Sequence, residues 1–143
     1  TNSFGVPSLS PKEWQPDFKK AQKFAKKGQV MIATFQGTNT GDGEEAFIED
    51  WKKGAELIME TNPDVIEMNL SCPNEGTAKL LCHDTNRVVK IATEVRKIVG
   101  KTPLLVKMSY FENEDALIDF IEKLSPILDG FNAINTIAGE IRN

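Results

Sequence analysis

Residues 65–70 read Val-Ile-Glu-Met-Asn-Leu, and the fold class follows most directly from this short run. Successive side chains of a β-strand point to opposite faces, so the apolar residues at positions 66, 68 and 70 share one face. We expect that face to pack against helices. Glu67 and Asn69 then lie on the other face, with Asn69 at the carboxyl end of the strand.

Three further runs are similar to the first, since each is short and mostly β-branched or otherwise apolar, as buried parallel strands are. The four predicted strands are 30–35, 65–70, 104–108 and 131–136. Between them, apolar residues recur at the spacing of amphipathic helices. The helical segments are 18–25, 47–58, 88–99 and 117–124. Residues that favour helix starts precede these segments, namely Asp17, Asp42, Asp84 and Asn113.

The alternation of helix and strand predicts right-handed crossovers and a parallel sheet. A doubly wound sheet would usually show a G-x-G-x-x-G turn after a strand, and the sequence contains none. A barrel instead places polar residues at the carboxyl ends of several strands, as with Asn69, Lys107 and Asn135. We therefore predict an α/β fold, a (β/α)8 TIM barrel of which about four βα units are present. Residues 1–143 would be the middle portion of a single domain.

Composition and charge argue against several classes of function. The 143 residues are 40% apolar and 27% charged, as in a globular domain. The net charge is −4 and the 17 basic residues are scattered, so neither nucleic acid nor a membrane is an expected partner. No apolar run approaches the roughly 20 residues that span a bilayer, and the first residues lack the features of a signal peptide, so we expect a cytoplasmic location. Cys72 and Cys82 are predicted to be free thiols, and the single histidine leaves a structural metal site without ligands.

Polar side chains at one end of the predicted sheet suggest a binding site. Asn69 leads into a loop that presents Cys72 and Asn74, while the next two strands bring Lys107 and Asn135. Asparagine amides both donate and accept hydrogen bonds, so they suit a flat heterocycle edged with N–H and C=O groups. A lysine suits an electron-rich ring that gains negative charge, and a thiol is a candidate proton acceptor.

Each of these residues also has a structural interpretation that the sequence leaves open. Asparagines at strand ends often serve turns, and a lysine after apolar residues often reaches solvent. A cysteine before proline is often a small, inert side chain. Glu67 is expected to pair with Lys107 rather than to act in catalysis. Cys82 and His83 are expected to be structural.

Four segments of the chain together carry a resemblance to a known family. Residues 67–74 read Glu-Met-Asn-Leu-Ser-Cys-Pro-Asn, and 1–7 read Thr-Asn-Ser-Phe-Gly-Val-Pro. Residues 104–107 read Leu-Leu-Val-Lys, and 132–136 read Asn-Ala-Ile-Asn-Thr. The first segment resembles the signature loop of the dihydroorotate dehydrogenases, flavin enzymes of pyrimidine synthesis built on this barrel. The others are similar to that family's substrate-pocket loop, flavin-contacting strand and next strand end, and all four occur in the family's order.

The resemblance implies FMN-dependent oxidation of dihydroorotate to orotate. Cys72 would be the base that takes a proton from C5 while hydride leaves C6 for the flavin, and a cysteine there resembles the soluble class 1 enzymes. Lys107 would face the flavin N1 and O2 region. The implied cofactor-binding residues are Asn69, Lys107 and Ile134. The implied substrate-binding residues are Asn2, Phe4, Gly5, Val6, Asn69, Asn74, Asn135 and Thr136.

The resemblance also places parts of the family's flavin site outside residues 1–143, namely a first strand with a substrate-contacting lysine and the later glycine-rich phosphate loops. A related barrel enzyme acting on dihydrouracil would share the Asn-Leu-Ser-Cys-Pro run, although Asn74 favours the orotate enzymes. The other alternative is a non-catalytic half-barrel that serves as an interaction module. The electron acceptor and the oligomeric state are left open, with a homodimer among the options.

Overall fold

The structure is a computed structural model that describes residues 9–72 and 80–134. Helices and strands alternate along these residues. The helices are α1 (Pro11–Phe24), α2 (Glu44–Met59), α3 (Thr85–Val99) and α4 (Glu114–Leu124). The strands are β1 (Ile32–Phe35), β2 (Val65–Asn69), β3 (Leu104–Met108) and β4 (Gly130–Ala133). A short 3-10 helix, Leu81–His83, precedes α3.

The four strands form one parallel sheet in the order β1-β2-β3-β4. The predicted α/β class and the predicted adjacent parallel strands are therefore confirmed. β1 begins at Ile32 rather than at residue 30, and the Met31 N–H donates to Asp64 Oδ2 at 2.8 Å where the chain enters the strand. β4 begins at Gly130, one residue before the predicted start, and the predicted end with Asn135 lies outside the described residues. Within the described ranges, β1 and β4 are the two edges of the sheet.

One face of the sheet packs with α2, α3 and α4 to form the hydrophobic core. Ile66 and Met68 of β2 are fully buried there, as the alternation predicts. Trp51 of α2 and Phe120 of α4 are the largest side chains that are completely buried beside them. Each such side chain stabilises the fold by about 1.5–3 kcal/mol. The core therefore fixes which face of each strand is left for polar residues.

The start of α1 differs from the prediction. The sequence suggests a start at Asp17 after Pro16, whereas the helix begins at Pro11 and includes Pro16. The Ser10 N–H donates to Glu13 Oε2 at 3.2 Å, which is part of a capping box, and Pro11 occupies the first turn, where no backbone N–H is required. The helix therefore starts at this capping box and continues through Pro16.

The starts of the other helices are closer to the prediction. Asp84 and Asn113 cap α3 and α4, and each side chain accepts a hydrogen bond from a backbone N–H at 3.1 and 2.9 Å, respectively. The predicted start of α2 at Asp42 is one position too early, because Gly43 is the residue that precedes the first turn.

Asp129 and Arg96 fasten the amino-terminal end of the sheet. Asp129 Oδ2 accepts hydrogen bonds from the Leu104 N–H at 2.8 Å and from Arg96 Nη2 at 2.6 Å. The Leu104 N–H first, and then the Arg96 guanidinium, hold the pKa of Asp129 below its ordinary value. Arg96 Nε also donates to the Ile127 carbonyl at 2.7 Å. These contacts stabilise the amino-terminal end of the sheet, whereas binding sites in barrels lie at the carboxyl end.

Candidate active site

The sheet face opposite the core carries two rows of side chains in register, and we call it the polar face. The lower row, nearer the amino-terminal end, consists of Thr34, Glu67, Leu105 and Gly130. The upper row, nearer the carboxyl end, consists of Asn69, Lys107 and Asn132. The carboxyl ends of parallel strands are where α/β proteins place their ligands. The upper row is therefore the candidate site.

Lys107 occupies the centre of the upper row. Its register partners are Asn69 on β2 and Asn132 on β4, and its side chain is partly buried. Its ammonium group makes no hydrogen bond or ion pair with any residue in 9–72 or 80–134. An ammonium between two amides, with its hydrogen-bonding capacity uncommitted, is suited to an anionic or electron-rich ligand.

Asn69 has a well-defined amide orientation. Its Nδ2 donates to Gln36 Oε1 at 3.2 Å, and its Oδ1 accepts from the Ser71 N–H and hydroxyl at 3.3 Å each. The side chain is only 6% exposed. This pattern is typical of an asparagine that shapes the turn after a strand, which is the structural interpretation of Asn69. One amide hydrogen is still available for a ligand.

Cys72 is a buried free cysteine that follows β2 at the carboxyl end of the sheet. The chain that leads to it is held by Leu70, whose N–H donates to the Lys107 carbonyl and whose carbonyl accepts from the Cys82 N–H, each at 3.0 Å. These bonds attach the segment to β3 and to the 3-10 helix. Cys72 thus lies just beyond β2, in a segment whose backbone is fixed by these two hydrogen bonds.

Glu67 does not pair with Lys107, and that prediction is wrong. Its Oε1 accepts from Thr34 Oγ1 at 3.0 Å and its Oε2 accepts from Asn132 Nδ2 at 2.7 Å. The register explains the difference, because Glu67 lies opposite Leu105 and Lys107 is one row higher. Sequence reasoning assigned no role to Thr34 or Asn132. The only signal was that each is a polar residue within a largely apolar run.

Cys82 and His83 belong to the 3-10 helix that precedes α3. Cys82 is completely buried in the core, and burial raises the pKa of its thiol, while the backbone of Ser109 acts in the opposite direction. The His83 ring packs edge-on against Phe111 with 4.9 Å between ring centroids, and its Nε2 lies 3.1 Å from the Tyr110 carbonyl oxygen. These surroundings fit the expectation that both residues are structural.

The structure brings part of the predicted site to one end of the sheet. Asn69 and Lys107 are neighbours there, Cys72 follows β2, and Ile134 follows β4 with 48% exposure. The remaining predicted residues lie outside the described ranges. They are Asn2, Phe4, Gly5, Val6, Asn74, Asn135 and Thr136.

In 9–72 and 80–134, no group of three histidine, cysteine, aspartate or glutamate residues is arranged to hold a metal ion. The helices of this same part of the chain are all too short or too polar to cross a membrane.

The fold and the upper row define an α/β protein with a parallel sheet and a candidate ligand site at the carboxyl ends of its strands. Comparison with known families specifies this further, because the family model described as dihydroorotate dehydrogenase matches residues 1–142. The chain belongs to the dihydroorotate dehydrogenase family.

Two curated relatives are consistent with this membership. A dihydroorotate dehydrogenase of Dictyostelium discoideum is 28% identical over 116 residues, which is 79% of this chain and 31% of the relative. The catalytic subunit of dihydroorotate dehydrogenase B (NAD(+)) of Methanocaldococcus jannaschii is 29% identical over 140 residues, which is 96% of this chain and 42% of the relative. The chain therefore spans less than half the length of either relative.

Proposed function

We propose that this chain is part of an FMN-dependent dihydroorotate dehydrogenase, which oxidises dihydroorotate to orotate in pyrimidine biosynthesis. The observation that carries the proposal is the upper row, in which Lys107 stands beside Asn69 at the carboxyl end of the sheet, with Cys72 following β2. The family match supports the same reaction. A cytoplasmic location and a homodimer remain predictions from the sequence.

The proposed reaction removes a proton and a hydride from adjacent carbons of the substrate. Cys72, acting as thiolate, accepts the proton from C5 and becomes the neutral thiol. Bound FMN would supply the acceptor for the hydride that leaves C6. The C5–C6 bond of the substrate becomes a double bond, so atoms and electrons balance. The buried position of Cys72 supports this role, because a base shielded from water transfers its proton to or from the substrate rather than solvent.

The described residues fit a flavin at the upper row. We propose that Asn69, Lys107 and the backbone at Ile134 hold the ring. The remaining amide hydrogen of Asn69 and the uncommitted ammonium of Lys107 match the acceptor-rich pyrimidine edge of an isoalloxazine. With FMN bound, Lys107 would also stabilise negative charge on that edge.

Substrate recognition is proposed to rest mainly on amides. Asn69 contributes from β2, and Asn2, Asn74 and Asn135 join it to bind the N–H and C=O edges of the pyrimidine ring. Pocket walls are proposed for Phe4, Gly5, Val6 and Thr136. The support for these residues is the resemblance of residues 1–7, 67–74 and 132–136 to the family's motifs.

We propose that the sheet belongs to a closed (β/α)8 barrel and that residues 1–143 form a portion of that single FMN-binding domain. A cavity of about 560 Å³ beside the edge strand β1 supports this proposal. Trp14 and Phe18 of α1, Ile32 of β1 and Leu57 of α2 line it. A further parallel strand beside β1 would cover these apolar side chains, as each strand of a barrel does for its neighbour.

The proposed function is tested with the full-length protein under anaerobic conditions. We expect a yellow protein with about one FMN per chain that is bleached by dihydroorotate, because hydride transfer reduces the flavin. Dihydrouracil should bleach it far more slowly. A colourless protein would contradict the proposal and favour the interaction module, and faster bleaching by dihydrouracil would favour the related barrel enzyme.

A further inference from the structure

Beneath Lys107, a hydrogen-bonded chain of side chains crosses the polar face. It joins Thr34, Glu67 and Asn132, and we call it the Glu67 bridge. Thr34 Oγ1 donates to Glu67 Oε1 at 3.0 Å, and Asn132 Nδ2 donates to Glu67 Oε2 at 2.7 Å. Glu67 is only 5% exposed. Each of its carboxylate oxygens accepts one of these two hydrogen bonds, as a buried acid requires. The bridge is thus a buried carboxylate held between two more exposed donors, Thr34 and Asn132.

The bridge has to pass over β3, because β2 and β4 are not neighbours in the sheet. Glu67 is in register with Leu105, while Asn132 is in register with Lys107. The hydrogen bond between them therefore runs diagonally across β3, between the Leu105 and Lys107 side chains. It separates the lower row from the upper row at the strand that carries the lysine.

Leu105 fills the space below the bridge. A Cβ atom added at Gly130 would lie 3.0 Å from Leu105 Cδ2, so the leucine leans toward β4 into the room that the glycine leaves. The aliphatic stem of Lys107 therefore has the bridge and a leucine on its amino-terminal side. The Lys107 side chain can therefore extend only toward the carboxyl end of the strand, where the candidate site lies.

We propose that Glu67 and Asn132 are positioning residues, which confine the Lys107 ammonium to the upper row by closing the space beneath it. The inference rests on the proposed function, in which Lys107 contacts the flavin. Confining the ammonium benefits the reaction through preorganisation, because a charge that is already in place costs no reorganisation when negative charge develops on the ligand. Glu67 acts on the reaction only through Lys107.

A double-mutant cycle in the full-length flavoprotein tests this action through Lys107. Glu67→Ala removes the bridge, and we expect the equilibrium constant for flavin reduction to fall about tenfold, a shift of about 30 mV toward more negative potential for a two-electron couple. In a Lys107→Met background, the same change should produce almost no further shift. Glu122→Ala on the exposed face of α4 is the control and should leave the potential unchanged.

The conservative variant Glu67→Gln distinguishes the effect of losing the hydrogen bonds of Glu67 from the effect of losing its carboxylate. The glutamine oxygen still accepts from Asn132, and its amide nitrogen donates to the Thr34 hydroxyl, so the bridge survives. We expect Glu67→Gln to restore most of the potential that Glu67→Ala loses. If Glu67→Ala does not fold, Asn132→Ala removes the same crossing bond and leaves the Thr34 contact of Glu67 in place.

A second readout needs no flavin. An acylating reagent applied to the flavin-free protein, followed by peptide mass spectrometry, should label Lys107 less in Glu67→Ala than in the parent, relative to the exposed Lys101, because the lysine can then fold back. The inference is overturned if Glu67→Ala shifts the flavin potential equally with and without Lys107, or if Glu67→Gln has the same potential as Glu67→Ala. It is also overturned if Lys107 is labelled equally in Glu67→Ala and in the parent. A parent protein that binds no flavin would instead overturn the proposed function, while the labelling still decides whether the bridge confines Lys107.

Discussion

At the residue scale, Cys72 and Cys82 differ in their surroundings although both are free and buried. Burial raises the pKa of the Cys82 thiol, and Cys82 is completely enclosed by the core. The thiolate is the form that reacts with alkylating reagents. We therefore expect iodoacetamide to modify Cys72 before Cys82 in the native protein, as measured by peptide mass spectrometry over time. Modification of Cys82 first would contradict the described surroundings.

Lys107 lies at the centre of the upper row, and its proposed role is to stabilise negative charge on the flavin. Lys107→Ala in the full-length protein should slow flavin reduction by dihydroorotate about 10²–10³-fold, as the loss of one preorganised charge-stabilising donor does. Stopped-flow absorbance measures this step directly. Lys101→Ala, at an exposed position before β3, is the control and should keep the parent's rate. An unchanged rate in Lys107→Ala would remove Lys107 from the site.

At the scale of the elements, Asp129 links the start of β3 to the end of α3. Its pKa is lowered by the Leu104 N–H and then by Arg96, so its contribution to the free energy of unfolding is complete above the pKa of about 3.9 that an unfolded aspartate has. That contribution is lost as the pH falls through the lower, folded-state pKa. Asp129→Asn should therefore cost about 1 kcal/mol at neutral pH, a modest value because the carboxylate is half exposed.

Urea unfolding of Asp129→Asn and its parent across a pH series checks this. The difference between the two free energies of unfolding should be constant above about pH 4 and shrink below it. Asp17→Asn, at an exposed position of α1, is the matched control and should behave like the parent. A difference that grows as the solution is acidified would contradict the assignment.

The predicted elements were most accurate where packing and local chemistry agree. Short apolar runs indicated β2 and β3 nearly to the residue, since one face of each strand is buried in the core. The start of α1 was missed because Pro16 suggests a break, whereas the capping box at Ser10 determines the start. Helix ends depend on a few hydrogen bonds, and a periodic pattern of apolar residues does not report them.

At the scale of the whole molecule, the candidate site was predictable only in part. Alternation along each strand was sufficient to place Asn69 and Lys107 on one face and at one end. The contact between Glu67 and Asn132 joins strands that are not neighbours, and it depends on the register of the sheet. Register is a property of the assembled sheet, so no single segment of sequence contains it.

The length of the chain relative to its relatives leads to a prediction about cofactor binding. Residues 1–143 span 31% and 42% of the two relatives, and the phosphate of FMN is proposed to be held by loops of the remaining barrel. A polypeptide limited to these residues should bind FMN far more weakly than the full-length protein in fluorescence titrations. Tight, stoichiometric binding by this polypeptide would contradict the proposed division of the domain.

The central claim is that Cys72 removes a proton from dihydroorotate. A cysteine base acts as its thiolate, and since the thiolate fraction grows with pH, flavin reduction should accelerate as the pH rises. Serine is a far weaker acid of similar shape, so Cys72→Ser should slow the reductive step by about 10²–10⁴-fold, the effect of losing a positioned base. Cys82→Ser is the matched control and should reduce stability rather than rate, since Cys82 belongs to the core.

The most direct test mixes each full-length variant anaerobically with dihydroorotate and follows flavin bleaching across a pH series. We predict that the parent and Cys82→Ser bleach at similar rates that increase with pH, and that Cys72→Ser retains its flavin but bleaches far more slowly. If the two serine variants bleach alike, or if Cys72→Ser keeps the parent's rate and pH profile, then Cys72 is not the base.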